Sequence, residues 1–292
     1  MNGIALATVD HQGSRRVAAV EADQAYLLPP AVTMRGLLAD WERCLEQQRE
    51  AVARGRLHEP LPLVGLRLLP PVPDPPNLFM AGANYLDHLA EMGNTNPPVR
   101  GRDRPFLFLK SPSSLVGDGA EIHPPAQSRK VDWEVELAAV IGDGGRIAAY
   151  TIVNDLSARD IWRREDARET MTWDWLLQKS WATACPCGPW LVPADAVADP
   201  YDLALRLTVN GEVMQDSNTG RMIFRAEDMM QYLAVYLPLQ PGDIIATGTC
   251  AGTGAGRGRF LRPGDAIVAE IEGVGRLRNR VAVSSPPGAR GG

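Results

Sequence analysis

The stretch that decides the fold is DWEVELAAVIG, from Asp132 to Gly142. Side chains on a strand alternate between its two faces, so Glu134 and Glu136 point the same way and apolar side chains point the other way. The segment continues as AAVIG, which is apolar on both faces and therefore predicts a central strand. Two neighbouring carboxylates on such a strand repel each other and resist burial, so the pattern indicates a nearby cation. An edge strand with two solvated glutamates is the alternative.

Hard divalent cations such as Mg²⁺ and Mn²⁺ bind carboxylate oxygens together with water, so they fit this pattern. A third ligand is needed, and the next apolar segment, IAAYTIVND, ends in Asp155. An aspartate at the end of an adjacent strand can reach the same ion, and we therefore predict Asp155 as the third ligand. Asp160 is the alternative, although it could instead pair with Arg159 or cap a helix.

The composition limits the class of protein. The chain has 292 residues, 45% hydrophobic and 22% charged, enough for a sizeable core. Its net charge of −5 and the lack of a basic block argue against nucleic-acid binding. We see no signal peptide and no membrane-spanning run, so we expect a cytoplasmic protein without membrane contact. The four cysteines are expected to be reduced thiols, because C-x-C at 185–187 is not a zinc spacing.

Lysine is rare in this chain. Only Lys110, Lys130 and Lys179 are lysines among the 30 basic Lys and Arg residues. A retained lysine can indicate a position where arginine cannot serve, and codon bias is the alternative explanation.

The first part of the chain predicts a small α+β unit. Three short strand patterns occupy residues 1–30, and helical spacing follows over 33–55. Seven prolines between 60 and 76 then exclude a helix or a central strand and indicate a linker or extended strap. We predict an N-terminal domain over 1–72, a larger domain over 73–284 and a disordered tail over 285–292.

The larger unit is mostly strand and turn. Asn210-Gly211 is the two-residue turn of a predicted hairpin, and RAEDMMQYLAVYLPLQPGD predicts an amphipathic helix with a proline stop. Strands and helices do not alternate regularly, so a doubly wound parallel sheet is not expected. The predicted class is α+β and β-rich, with a mixed or antiparallel sheet.

A glycine-rich loop, GTCAGTGAGRG over 248–258, invites a dinucleotide-binding interpretation. No helix start is expected after it, and it lacks the Gly-Lys-Ser/Thr of a phosphate loop. We therefore give nucleotide binding little weight.

Eight blocks of sequence occur in an order that resembles the fumarylacetoacetate hydrolase family, over about residues 75–283. They are GANYLDHLAEMG, FLFLKSPSSLVG, DWEVELAAVIG, YTIVNDLSARD, LLQKSWATACPCGPWLV, NGEVMQDSNTGRMIF, GDIIATGT and EIEGVGRLRNRV. The resemblance implies the family's mixed β-roll or sandwich with a small N-terminal domain, usually as a homodimer. It also implies that Glu134, Glu136 and Asp155 hold Mg²⁺ or Mn²⁺, with Ala81 where some members add an aspartate ligand.

The same resemblance implies further site residues. His88 and Glu91, one helical turn apart, match a catalytic dyad on a mobile lid, and Lys179 matches the active-site lysine. Arg159 and Thr249 match substrate-contacting positions. The family commonly has glutamine where this chain has Trp162, a departure that suggests a bulkier or less polar substrate, and the insertion RREDARETMTWDW is expected to shape the pocket.

The function expected from these residues is metal-dependent hydrolysis of a carbon–carbon bond. The substrate would be a 1,3-dicarbonyl or 2-oxo acid, similar to an acylpyruvate or fumarylacetoacetate, cleaved through a metal-stabilised enolate. An isomerase, decarboxylase, hydratase or cyclase acting on a related compound is the alternative within the enzymes. A catalytically silent metal-binding homologue is the alternative outside them.

Overall fold

The computed structural model describes residues 3–55, 60–163 and 172–283. Within these ranges the chain forms nineteen strands and six α-helices. The strands are β1 (Ala5–His11), β2 (Ser14–Glu21), β3 (Gln24–Leu27), β4 (Leu61–Pro62), β5 (Arg67–Leu69), β6 (Leu78–Gly82), β7 (Phe106–Leu109), β8 (Leu115–Val116), β9 (Glu121–Ile122), β10 (Val131–Asp132), β11 (Val135–Ile141), β12 (Ile147–Asn154), β13 (Ser157–Ala158), β14 (Cys185–Pro193), β15 (Ala204–Val209), β16 (Glu212–Asn218), β17 (Ile244–Ala246), β18 (Ala266–Ile271) and β19 (Gly275–Val281).

The helices are short and lie between strands. They are α1 (Met34–Leu38), α2 (Trp41–Ala53), α3 (Leu86–Glu91), α4 (Trp175–Lys179), α5 (Ala226–Ala234) and α6 (Gly254–Arg257). In the parts of the chain that the structure describes, no helix is both long and apolar enough to cross a membrane.

A twelve-stranded mixed sheet forms the centre of the molecule. Its order is β4-β3-β2-β1-β14-β12-β11-β17-β6-β7, with β5 paired to β1 and β8 paired to β14. A five-stranded sheet, β16-β15-β18-β19-β9, packs on one face, and β10 and β13 form a small separate ribbon. This arrangement confirms the α+β, β-rich class with a mixed sheet.

The central strands are buried on both faces, which confirms the interpretation of AAVIG. Every residue of β11 is buried. Leu137 and Ile152 face a core shared with the five-stranded sheet. Ala138 and Val140 face a second core, which α1 and α2 cover through residues such as Leu38. Apolar burial on both sides holds β11 and β12 in place, and the carboxylates near their ends are fixed accordingly.

The predicted strand over Asp132–Gly142 is interrupted, which corrects the expectation of one continuous strand. β10 ends at Asp132 and β11 begins at Val135. The backbone N–H of Glu134 donates to the side chain of Asn154, at 2.9 Å, instead of to a strand carbonyl. This side-chain bond satisfies the backbone at the break.

The described part of the first 72 residues contributes strands β1 to β5 to the same large sheet. Leu6 of β1 pairs with Leu191 of β14, and the proline-rich segment contributes β4 and β5. The domain boundary near residue 72 stays a prediction. The predicted tail over 285–292 lies outside the described residues.

The single helix predicted over 33–55 is wrong, because two helices form there. α1 ends at Leu38 and α2 begins at Trp41, with Asp40 as its N-cap residue. Asp40 makes no side-chain capping bond, and the backbone N–H of Trp41 instead donates to the side chain of Asp143, 3.3 Å away. Contact with another part of the chain therefore divides the helical pattern.

The hairpin predicted at Asn210-Gly211 is confirmed. β15 and β16 pair across it, and both turn residues have positive φ, 53° and 82°. A two-residue turn of this type requires positive φ at both positions, which asparagine and glycine adopt readily.

Candidate active site

Three carboxylates converge where β11 begins and β12 ends. The antiparallel register pairs Glu136 with Val153, and the backbone N–H of Asp155 donates to the carbonyl of Glu134 at 2.9 Å. One oxygen from each of Glu134, Glu136 and Asp155 lies within 4.8 Å of the other two. All three residues are at least 94% buried. The structure thus brings together the residues that the sequence predicted as metal ligands.

A buried lysine and a partly buried arginine contact this cluster. Lys179, on α4, donates to Glu134 Oε2 at 2.7 Å and to Asp155 Oδ2 at 2.6 Å. Arg159 donates to Glu134 Oε1 and to Asp132 Oδ2, the latter at 2.9 Å. Lys179 and Arg159 therefore reach the cluster as predicted, and Arg159 pairs with Asp132 instead of with its neighbour in sequence.

Lys110 is a site residue that the sequence analysis missed. It follows β7, is fully buried, and donates to Asp155 Oδ1 and to the carbonyl of Leu156, the latter at 3.0 Å. One signal for it was present in the sequence, because the chain has only three lysines. That signal did not distinguish Lys110 from Lys130, which is exposed.

Asp132 was also missed. It is buried and accepts from Arg159 and from the backbone N–H groups of Gly254 and Ala255 at the start of α6. The short helix α6 lies within the glycine-rich loop of 248–258, and in the described residues after the loop, 259–283, only strands and turns form, as expected. The amides that begin α6 bind a carboxylate of the chain itself, because helix N-termini leave N–H groups unpaired.

The predicted alternative ligand, Asp160, lies outside the cluster. It accepts from the hydroxyl of Ser128 and from the backbone N–H of Arg129 at 2.6 Å. These bonds fix the loop before β10 and leave Asp155 as the third carboxylate.

The electrostatics of the cluster are uneven. Burial, together with the charges of Asp155 and Glu134, raises the pKa of Glu136 well above its usual range. Burial alone would also raise the pKa of Glu134, but Lys179 and Arg159 hold that pKa far below its usual value. Burial opposes the charge of Lys179, yet Asp155 and Glu134 raise its pKa. Glu136 is thus the carboxylate with the least cationic compensation, and a positive ion beside it would relieve this repulsion.

The cluster fits a hard divalent cation. Its donors are carboxylate oxygens without sulfur or imidazole, the set that suits Mg²⁺ or Mn²⁺. Among the described residues it is also the one group of three or more acidic, histidine or cysteine side chains with this spacing. Glu134, Glu136 and Asp155 are the residues that would hold such an ion.

His88 and Glu91 lie beside the cluster on α3. His88 Nδ1 is 3.4 Å from Glu91 Oε2, and His88 is 8% exposed. Glu91 is fixed from the other side, because it accepts from the backbone N–H of Gly252 at 2.9 Å and from the hydroxyl of Thr253 at 3.3 Å. The predicted dyad therefore has the geometry of an imidazole oriented by an anchored carboxylate.

A cavity of about 160 Å³ opens over these groups. Its inner end is polar, with Glu134, Glu136, Lys179 and His88. Its outer end is apolar and aromatic, with Met92, Phe106, Phe108 and Trp175. Ala81, which the resemblance matched to a further aspartate ligand, lies in its wall. The cavity is therefore amphipathic, polar inside and apolar at the mouth.

Of the two remaining predicted substrate-binding residues, Thr249 lines this cavity and Trp162 does not. Thr249 lines it, and its hydroxyl donates to the carbonyl of Val135 and accepts from Gln215, both at 2.8 Å. Trp162 packs against Trp173, with ring centroids 4.2 Å apart, and is not among the lining residues. Most of the insertion after Trp162 lies outside the described residues.

A larger surface cleft, of about 930 Å³, lies along β15, β16 and the β18–β19 turn. Four of its charged side chains form ion pairs, because Arg206 donates to Asp216 at 3.0 Å and Arg276 to Glu270 at 2.9 Å, and Glu272 accepts from the backbone N–H of Ala204 at 3.1 Å. It lacks the convergent carboxylates and the histidine that distinguish the smaller cavity.

A β-rich fold that carries an all-carboxylate cation site beside a histidine–glutamate pair defines a class of candidate metal-dependent enzymes. The fumarylacetoacetate (FAA) hydrolase C-terminal family matches residues 77–282, and the chain belongs to this family.

Its relatives have several activities in their names. Oxaloacetate tautomerase FAHD2B, mitochondrial, of Homo sapiens is 40% identical over 261 residues, which cover 85% of this chain and 79% of that protein. Among solved structures, fumarylacetoacetate hydrolase of Exiguobacterium antarcticum has a TM-score of 0.79 at 30% identity, covering 97% of this chain and 100% of that one. The cytoplasmic location expected from the sequence stays a prediction, since the human relative is named mitochondrial.

A third relative carries a ligand and a metal. Maleylpyruvate hydrolase of Sphingobium sp. SYK-6, in complex with manganese(II) and pyruvate, has a TM-score of 0.76 at 30% identity. The match covers 95% of this chain and 98% of that one. A divalent metal site is therefore consistent with both the family and the carboxylate cluster.

Proposed function

We propose that the protein is a divalent-metal-dependent enzyme that interconverts the keto and enol forms of a 2-oxo acid. The observation that carries the proposal is one cavity in which three buried carboxylates adjoin the His88–Glu91 pair. Mg²⁺ or Mn²⁺ bound there would supply a Lewis acid that polarises the keto oxygen and stabilises the enolate. Names of relatives that match 85% of the chain at 40% identity support tautomerisation over the other reactions of the family.

His88 is the proposed proton carrier. Its Nδ1 faces Glu91, which leaves Nε2 for the substrate, and the Glu91 carboxylate stabilises the imidazolium that forms. The imidazole removes a proton from C3 of the 2-oxo acid, and the C3–H electron pair becomes the C2–C3 double bond of the enolate. Returning the proton to the enolate oxygen completes the conversion with no gain or loss of atoms.

Lys179 is proposed to stabilise negative charge. An ammonium group has three N–H donors, and two of them are used by Glu134 and Asp155. The third is available to the enolate oxygen from the cavity wall. Arg159 is proposed to orient Glu134, and Thr249 to shape the wall beside β11.

Hydrolysis of a carbon–carbon bond is the second candidate. An acylpyruvate that loses its acyl group to water leaves the same kind of enolate, so the same residues would serve, with His88 activating the water. The similarity to maleylpyruvate hydrolase over 95% of the chain supports this candidate. The two reactions differ in whether the carbon skeleton is cleaved.

The test is hydrogen–deuterium exchange at C3 of 2-oxo acids in D₂O, followed by NMR with and without Mn²⁺. We expect metal-dependent exchange with an intact carbon skeleton, and removal of the metal with EDTA should abolish it. An acylpyruvate in the same assay is followed by mass, and its cleavage would support hydrolysis. If the protein with metal accelerates neither reaction, the proposal is wrong.

We also propose that the chain forms a homodimer. β7 is the last strand in the order of the large sheet, and Leu109 on it is 61% exposed, which supports pairing with a second copy. Sedimentation equilibrium should give twice the chain mass of 31.7 kDa. Leu109→Lys should shift the protein toward the monomer, and a wild-type monomer at all concentrations would contradict the proposal.

A further inference from the structure

The mouth of the cavity is a cluster of aromatic rings. The Phe106 and Trp175 centroids are 5.7 Å apart, and the Phe108 and Trp175 centroids are 5.2 Å apart. In the single chain Phe106 and Trp175 nevertheless remain 54% and 41% exposed. Large aromatic side chains left this open beside a reactive centre present apolar surface that a ligand can bury.

The inner end carries the opposite character. Its charged groups include the carboxylates of Glu134, Glu136 and Asp155 and the cations Lys179 and Arg159. Both cations already donate to carboxylates of the cluster. The divalent ion that Glu134, Glu136 and Asp155 would hold is what attracts the carboxylate and keto oxygen of the substrate.

A second carboxylate on the substrate would meet the aromatic rings. No further cation lines the cavity among the residues that the structure describes. An ionised group placed against apolar surface without a counter-charge loses hydration that nothing replaces. The described wall therefore disfavours a dicarboxylic acid, although the named human relative acts on oxaloacetate.

The aromatic residues that line the cavity are not the one from which the sequence predicted a less polar substrate. A bulkier or less polar substrate was expected from Trp162, which packs on Trp173 and does not line the cavity. The rings that face the cavity are those of β7 and α4. Lys179 Nζ lies 5.4 Å from the centroid of Phe108, so the aromatic wall begins directly at the polar end.

Building on the proposed function, we propose that the substrate is a 2-oxo monocarboxylic acid with an aryl or bulky alkyl group on C3. Its carboxylate and keto oxygen face the inner end of the cavity. Its apolar group packs against Phe106, Phe108 and Trp175.

The first test compares phenylpyruvate with oxaloacetate. Both compounds have an exchangeable CH₂ beside the keto group. In phenylpyruvate this carbon carries a phenyl group, and in oxaloacetate it carries a carboxylate. We expect kcat/KM for C3 exchange with Mn²⁺ to favour phenylpyruvate on the order of tenfold, and Trp175→Ala to remove most of this ratio by raising KM for phenylpyruvate. Leu176→Ala, on the same helix and 65% exposed, should keep the wild-type ratio.

The second test measures binding without turnover. Phenyllactate and malate have the same two side groups on an unreactive 2-hydroxy acid, and their affinities for the protein with Mn²⁺ can be measured by calorimetry. Tighter binding of phenyllactate, reduced by Trp175→Ala, supports the aromatic wall even if no exchange occurs and the proposed reaction fails. The inference would be overturned if the protein preferred oxaloacetate to phenylpyruvate and malate to phenyllactate. It would also be overturned if Trp175→Ala weakened the aromatic and the dicarboxylic compound of each pair equally.

Discussion

Lys110 forms a buried ion pair with Asp155, and neither side chain is more than 1% exposed. The pair holds one oxygen of a predicted metal ligand, and Lys179 holds the other. Two lysines thus fix the rotation of a single carboxylate. A lysine ammonium has no acceptor and several donors, so it can orient Asp155 while also binding the carbonyl of Leu156.

Removing Lys110 should destabilise the protein strongly. In Lys110→Met the apolar stem remains, but Asp155 keeps a buried charge with half of its compensation gone. We expect the free energy of unfolding in EDTA to fall by about 3 kcal/mol, measured by urea denaturation. Lys130→Met is the matched control, because Lys130 is exposed and should change stability by less than about 0.5 kcal/mol. Equal effects of the two substitutions would contradict the role given to Lys110.

Glu136 should determine metal binding. Mg²⁺ or Mn²⁺ at 100 times its dissociation constant should stabilise the wild type by about 2.7 kcal/mol, seen as a rise in Tm. In Glu136→Gln this rise should disappear. The metal-free Tm should stay level or increase, because like-charge repulsion with Asp155 and Glu134 is removed.

Glu46→Gln provides the control for this charge change. Glu46 is exposed on α2, far in sequence from the cluster, and its variant should respond to metal like the wild type. A full metal-induced rise in Glu136→Gln would show that Glu136 is not a ligand.

The sequence predicted the centre of the fold because the relevant signals are local. Alternation places Glu134 and Glu136 on one face, the apolar continuation marks a central strand, and Asn210-Gly211 specifies its hairpin. Asp155 could be predicted from the sequence because consecutive antiparallel strands pair. This pairing brings the end of β12 beside the start of β11.

The remaining features depend on contacts between distant parts of the chain. Lys110 reaches Asp155 across 45 positions, and Asp132 meets the start of α6 across more than 120. The pairing of β1 with β14 is equally remote. Periodicity carries no information about such partners. The aromatic mouth of the cavity could not be predicted for the same reason. In the sequence Phe106 is an ordinary strand residue and Trp175 belongs to an insertion, and nothing local indicates that they meet.

His88 should be needed for proton transfer and not for metal binding. We expect His88→Ala to slow C3 exchange by about 10²–10⁴-fold, because it removes the imidazole that carries the proton, while the metal-induced rise in Tm persists. His123→Ala is the control, because His123 lines a separate cleft and should leave exchange within twofold of the wild type. Loss of both exchange and the Tm response in His88→Ala would point to a structural role instead.

Gly256 should control the position of Glu91. Alanine in place of a helical glycine normally stabilises a helix by about 1 kcal/mol. Here a Cβ on Gly256 would lie within 2.8 Å of Glu91 Cγ, so the Glu91 side chain must shift from the position in which it meets His88. We expect Gly256→Ala to lower kcat for C3 exchange on the order of tenfold while the metal-induced rise in Tm is unchanged.

A double-mutant cycle can test whether Gly256→Ala lowers kcat by displacing Glu91. If Gly256→Ala acts by displacing Glu91, it should have little further effect in a Glu91→Gln background, where the oriented carboxylate is already lost. Ala255→Ser, an exposed neighbour on α6, should leave kcat within twofold. Additive losses in the double variant would mean that the α6 loop affects exchange by another route, and Glu91 would then lose its assignment as the residue that positions His88.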